Sequence, residues 1–184
     1  MRLEPAVHAT DTTPEPMARI LVAGVGNIFL RDDGFGPEVA RRLAAGAGPE
    51  AAGAAPAPRG MLAVDYGIRG MHLAYDLLAG ADLLVLVDTV PPDNPGEAVP
   101  GSIRVLRVRP EDLDSNTSLD PHGMNPVAVL GKLRSLGGEL PVTYVVGCVP
   151  ADLTEGIGLS GPVAAAVPLA VAAVEDLIAH HTPA

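Results

Sequence analysis

Arg19-Ile20-Leu21-Val22-Ala23 runs directly into Gly24-Val25-Gly26-Asn27-Ile28-Phe29-Leu30-Arg31-Asp32-Asp33-Gly34-Phe35-Gly36. The first five residues are a short apolar run of the kind that makes a buried parallel strand. From Pro37 to Ala45, Val39, Ala40 and Leu43 recur at helical spacing with charges between them. The stretch therefore reads as a strand, a glycine-rich loop and a helix, with two adjacent carboxylates held in the loop. Glycine has no Cβ, so the backbone there can turn sharply and approach a ligand closely. A loop of this kind lies at the carboxyl edge of the sheet, where open α/β folds place their sites.

Outward from this unit the pattern repeats. Strands are expected over about 18–23, 61–64, 82–88, 102–108 and 142–148, and helices over about 33–45, 70–79, 125–135 and 162–180. Met71, Ala74, Leu77 and Leu78 are expected on the apolar face of the second helix. Asp82-Leu83-Leu84-Val85-Leu86-Val87-Asp88 is the clearest buried strand, with a carboxylate at its exit. The strand at 102–108 has the look of a sheet edge, and Pro162 is expected to open the last helix. The order β-α-β-α-β-β-α-β-α implies an α/β fold whose mostly parallel sheet carries helices on both faces. Residues 1–17, rich in Pro, Thr and Glu, read as a disordered leader ahead of one domain over 18–184. The Ala/Gly/Pro segment from Gly46 to Arg59 reads as a flexible surface loop rather than a domain boundary.

Composition narrows the function. The chain has 184 residues with 48% hydrophobic but only 3% aromatic, an aliphatic excess that suits a covered parallel sheet better than a surface stacking bases. Twelve basic against 22 acidic residues give a net charge of −10, which argues against nucleic acid or an anionic membrane as partner. No membrane-spanning helix is expected, on the count that no apolar stretch reaches roughly 18 uncharged residues. One cysteine, Cys148, excludes an internal disulfide and fits a reducing compartment, so the expected location is cytoplasmic.

Gly24-x-Gly26 after a strand suggests a dinucleotide fingerprint, but Phe29 stands where a third glycine is needed. Asp32 and Asp33 suit a helix N-cap, which explains one of them; one cap and one working carboxylate is the expectation. Asp88 leaves the most apolar strand, where a charge needs a partner to persist. Asp88-Thr89 resembles the Asp-Thr-Gly of aspartic proteases, but Val90 replaces the glycine. Of the five histidines, His8, His72, His180 and His181 read as surface residues. His122, between Pro121 and Gly123, lies in a loop expected to emerge at the same edge as Asp33 and Asp88. If the three converge, two carboxylates and one imidazole suit a borderline divalent ion such as nickel, zinc, cobalt or iron. No Ser-His-Asp or Cys-His arrangement is visible, and Cys148 reads as a core residue.

Taken together, the Gly24–Gly36 stretch, Asp65-Tyr66-Gly67, the strand ending in Asp88, Pro121-His122-Gly123-Met124, Val146-Gly147-Cys148-Val149-Pro150 and Gly156-Ile157-Gly158-Leu159-Ser160 form an ordered series. This series resembles the nickel–iron hydrogenase maturation endopeptidases over roughly 18–178. The resemblance implies a three-layer α/β/α sandwich of the phosphorylase/hydrolase type. It implies removal of a C-terminal peptide from the hydrogenase large-subunit precursor after nickel insertion. The nickel would be carried by the substrate and contacted by Asp33, Asp88 and His122, with other divalent metals able to occupy the site. Asn27, Asp32 and Asp65 would line the substrate. The chain departs from the family pattern at Gly161, where proline is common, and at Arg31, beside the acidic pair. A monomer is expected. The rival readings are a non-cleaving, nickel-sensing or chaperone-like module that binds the precursor, and a small-molecule hydrolase or phosphorylase.

Overall fold

A computed structural model of the chain describes residues 19–46, 60–92, 99–113 and 126–181. It contains strands β1 (Ile20–Val25), β2 (Met61–Gly67), β3 (Leu83–Thr89), β4 (Ile103–Val108) and β5 (Val142–Cys148). The helices are α1 (Phe35–Gly46), α2 (Gly70–Leu78), α3 (Pro126–Ser135) and α4 (Gly161–His181). The strands form one sheet in the order β2-β1-β3-β5-β4. β1, β2, β3 and β5 run parallel, and β4 pairs antiparallel on β5 as the expected edge.

The three layers follow from the pleat, because successive side chains of a strand face opposite ways. Ile20 and Val22 of β1, with Leu83, Val85 and Val87 of β3, face Phe35 and Val39 of α1 and Val163, Val167 and Val174 of α4. Leu21 and Ala23, with Leu84 and Leu86, face Leu73 and Leu77 of α2 and Leu130 and Leu133 of α3. β3 is buried from Leu83 to Asp88 because helices cover both of its faces.

From β1 the chain moves outward to β2 and then crosses back to β3 on the other side. The crevice between the carboxyl ends of β1 and β3 is therefore the point where the winding reverses, the usual ligand position in such sheets. Glycine makes the crevice possible. A Cβ on Gly36 would collide with the carbonyls of Val25 and Val87, so α1 starts hard against the ends of both strands. Gly26 has φ 133°, and a Cβ there would strike the Asp33 carbonyl.

Four expectations need correction. The first helix starts at Phe35 rather than Asp33, because Arg31–Gly34 forms a separate 3-10 turn entered through a left-handed Arg31 (φ 49°). The apolar face of α2 is Leu73, Ala74 and Leu77, whereas Met71 and Leu78 are exposed. α4 begins at Gly161, so Pro162 is its second residue. Gly156 to Val174 carries no Asp, Glu, Lys or Arg, and α4 has the length and a mean hydropathy of 1.7 that could cross a membrane. Its Val163, Val167, Val174 and Ile178 pack on the sheet and α1 as the helix's inner face, while much of the remaining apolar surface, Leu169 included, is exposed. The leader, the segment 47–59, the turn 93–98 and the loop holding His122 lie outside the described residues.

Candidate active site

Asp33 leaves the 3-10 turn after β1, and Asp88 is the penultimate residue of β3. One Asp33 oxygen, Oδ2, accepts the N–H of Asn27 at 2.6 Å. The other, Oδ1, accepts the Thr89 hydroxyl at 3.1 Å. The carboxylate of Asp33 is thus aimed across the crevice toward β3, where Asp88 stands next to Thr89. Asn27 is itself held, its Oδ1 accepting the Phe29 N–H at 3.0 Å in the local turn that Asn side chains favour.

Asp88 is 9% exposed, and among the described residues its Oδ1 accepts the N–H of the adjacent Thr89, at 2.7 Å. Burial pushes its carboxyl up to about 8, the negative charge of Asp33 adds to the effect, and the Thr89 N–H works against it. Two facing carboxylates, one driven toward its neutral form by desolvation and by the other, are the electrostatic condition that a cation relieves.

Asp32 has a different task. It is fully buried, and its carboxylate accepts N–H bonds from Ser160 at 2.6 Å, Ala151 at 2.8 Å and Asp152 at 2.9 Å, plus the Ser160 hydroxyl at 2.9 Å. Burial works to raise this carboxyl, but the bonds from Ser160, Asp152 and Ala151 outweigh it and hold the group below its ordinary value. The expected substrate contact of Asp32 is therefore corrected: both oxygens are spent on the β5–α4 loop. Neither acidic residue caps α1, so the expected helix cap is corrected as well. Asp32 clamps two loops together, and Asp33 is left to face the crevice.

Asp65 lies exposed near the end of β2, one strand away from the pair, in register with Gly24. Its backbone carbonyl accepts a bond from the Arg69 guanidinium. Asn27 stays beside the site as a backbone donor to Asp33. His122 lies outside the described residues, so two of the three expected ligands can be placed, and these two are brought together. Among the described residues no group of three His, Cys, Asp or Glu is gathered that could hold a metal ion. His72 is exposed on α2, and the His180 ring stands 2.6 Å from the Asp176 carbonyl at the end of α4. Cys148 is fully buried, and burial first, then the charge of Asp32, pushes its thiol up to about 11. Such a thiol stays protonated and is no nucleophile.

Thr89 is the residue that sequence reasoning passed over. Its signal was the Asp88-Thr89 pair leaving a buried strand, set aside because glycine does not follow. The hydroxyl matters here as a donor that orients Asp33.

An open α/β sheet with a carboxylate pair at its switch point defines a hydrolase-type site without a Ser or Cys nucleophile among the described residues. The model of the hydrogenase maturation protease family (HycI) matches residues 50–177. The chain is 30% identical over 149 residues to the hydrogenase 2 maturation protease of Escherichia coli K12, covering 81% of this chain and 84% of that protein. It is 31% identical over 165 residues to the coenzyme F420 hydrogenase subunit delta of Methanothermobacter thermautotrophicus, covering 88% and 95%. The solved structure of the hydrogenase maturating endopeptidase HybD from E. coli superposes with a TM-score of 0.68 at 28% identity, covering 88% of this chain and 93% of that one. The chain belongs to the hydrogenase maturation protease family, and its fold is that of the family's solved members.

Proposed function

We propose that the protein is a cytoplasmic, monomeric endopeptidase that removes the C-terminal peptide of a nickel-loaded nickel–iron hydrogenase large-subunit precursor. In this reading Asp33, Asp88 and His122 complete the coordination of the nickel that the substrate carries, which sets the scissile bond beside the ion. A divalent ion so placed polarises the carbonyl or lowers the pKa of the attacking water. The observation that carries the reading is the Asp33–Asp88 pair. Asp33 is held by Asn27 and Thr89, and Asp88 is buried with the Thr89 N–H as its donor among the described residues, so the pair is arranged before any cation arrives. Two carboxylate oxygens facing one crevice are hard donors, and the His122 imidazole of the proposed set would add the borderline nitrogen that suits nickel. In this reading the nickel gains Asp33, Asp88 and His122 as ligands only in the complex, so its recognition and cleavage are one event, which makes cleavage a check on metal insertion.

The test is intact-mass spectrometry of the purified large-subunit precursor, with and without nickel, after incubation with this protein. Loss of a C-terminal peptide from the nickel-loaded form alone is the expected result, and His122→Ala should abolish it. Cleavage that proceeds equally without nickel overturns the metal-dependent reading. A loaded precursor that forms a stable complex and stays intact would make the protein a non-cleaving binding module.

A further inference from the structure

Loops at the mouth of a site are ordinarily polar, and two of those here are not. Ile28 and Phe29, on the loop from β1 into the acidic turn, are 49% and 62% exposed, and Ile157, on the loop from β5 into α4, is 79% exposed. The two loops are locked together. Leu30 bridges Gly156, the Gly156 N–H donates to the Phe29 carbonyl at 2.8 Å, and the Arg31 N–H donates to the Gly156 carbonyl at 3.1 Å. The Asp32 clamp fixes the same two loops from beneath.

Ile28 and Ile157, with Gly34, Leu159 and Ala164, line an open groove of about 370 Å³. Ile28 and Gly34 are the chain neighbours of Asn27 and Asp33, so the rim of the groove adjoins the residues that carry and hold the Asp33 carboxylate. Arg31 and Arg42 also line it. Arg31 pairs with Asp152 at 3.2 Å, and Glu38, also in the lining, is shared by Arg42 at 2.9 Å and Arg41 at 2.8 Å. The groove is thus mainly apolar, and its charged side chains are held in ion pairs.

We infer that this groove is a docking site for an apolar segment of the hydrogenase precursor adjoining the bond that is cut. The occupant follows from three facts. Clustered exposed apolar side chains mark interaction surfaces. The groove is continuous with Asp33, so a chain laid in it leads to the carboxylate pair. Arg31 and Arg42 are held in ion pairs, so the side chains left to meet a ligand are mainly apolar. The loops are already hydrogen-bonded in place, so docking costs little loop ordering, and that is how a preformed surface gains affinity. The inference rests on the function proposed above, because its occupant is that substrate.

The experiment compares the full-length protein with Ile28→Ser and Ile157→Ser, each checked for a wild-type urea midpoint, and with the conservative Ile157→Leu. The probe is the purified nickel-loaded large-subunit precursor, with cleavage followed by mass and binding by interferometry. The expected result is a KM and Kd at least tenfold higher in each serine variant, about 1.4 kcal/mol, with kcat unchanged and Ile157→Leu near wild type. Cleavage by both serine variants at wild-type KM and Kd overturns the docking site and leaves the endopeptidase standing. Wild-type protein that binds the precursor without cutting it, and loses binding in the serine variants, overturns the endopeptidase and leaves the docking site. Wild-type protein that neither binds nor cuts it overturns both.

Discussion

Replacing Asp32 by Asn removes one charge and almost no volume, and its cost can be worked from the four bonds that the carboxylate accepts. Three come from the N–H groups of Ser160, Ala151 and Asp152, and one from the Ser160 hydroxyl. An amide has one acceptor oxygen. Its better orientation keeps that oxygen at Oδ2, facing Ala151, Asp152 and the hydroxyl, and turns the NH2 against the Ser160 N–H. One bond to a charged group is lost at about 1.5–3 kcal/mol, and a buried donor is left facing a donor. The three retained bonds lose their charge assistance, roughly half their strength. The sum is about 4–7 kcal/mol, a large part of the ~5–15 kcal/mol that holds a domain of this kind folded.

Because the carboxyl of folded Asp32 lies below its ordinary value, its stabilisation is complete above the unfolded value near 4. It is lost as pH falls through the lower, folded value. The stability gap between wild type and Asp32→Asn should thus be constant from about pH 5 to 8 and should close in acid. Urea unfolding followed by circular dichroism at a series of pH values reads both quantities. A gap under about 1 kcal/mol at pH 7, or one that does not narrow below pH 4, would refute the clamp.

Asp88 gives the opposite sign. Its carboxyl is raised to about 8 in the folded chain, so its contribution is whole below the unfolded value near 4 and drains away as pH rises through 8. The metal-free protein should lose stability over that window with a slope approaching 1.4 kcal/mol per pH unit; Asp88→Asn should flatten the curve and abolish cleavage, and urea midpoints at pH 5 to 8 check the slope. Thr89→Val deletes the hydroxyl that orients Asp33 and should lower kcat about tenfold at a stability cost near 1 kcal/mol, with Thr89→Ser restoring the rate; an unchanged kcat would remove Thr89 from the site. Gly36→Ala drives a Cβ into two strand-end carbonyls and should cost more than about 3 kcal/mol or prevent folding, as a thermal melt would reveal. Tyr66→Phe breaks a 2.6 Å bond to Asp76 at the other face of the sheet; it should cost about 1 kcal/mol by urea titration and leave precursor cleavage untouched.

The strands were legible where the apolar run was unbroken. β5 has the expected ends, and β3 is shifted by one residue, because burial on both faces leaves no ambiguity about either segment. The acidic turn was harder to read. Asp32 and Asp33 are chemically identical neighbours, and only the fold distinguishes them, by sending one toward residues 151–160 and the other toward Thr89. Local capping preference pointed to the helix, and long-range donors won. The face of α2 was misjudged because Met71 and Leu78 are apolar but lie where no layer covers them. α4 was underestimated as an uncharged stretch because glycine, serine and prolines at its start mask the run from 156 to 174.

The Asp32 clamp also sets an order of assembly. Its donors lie 119 to 128 residues farther along the chain, so Asp32 stays unclamped until residues 151 to 160 have been made, whereas the partners of Asp33, Asn27 and Thr89, come earlier. Contacts this distant close late and slowly. An unfinished chain would have its first strand, its two aspartates and the Asn27 and Thr89 that hold Asp33, yet Asp32 would lack every one of its donors. The acidic turn is locked to the β5–α4 loop only as the C-terminal third folds. The site of a protein proposed to inspect whether another is complete is, by this construction, among the last parts of its own chain to be secured.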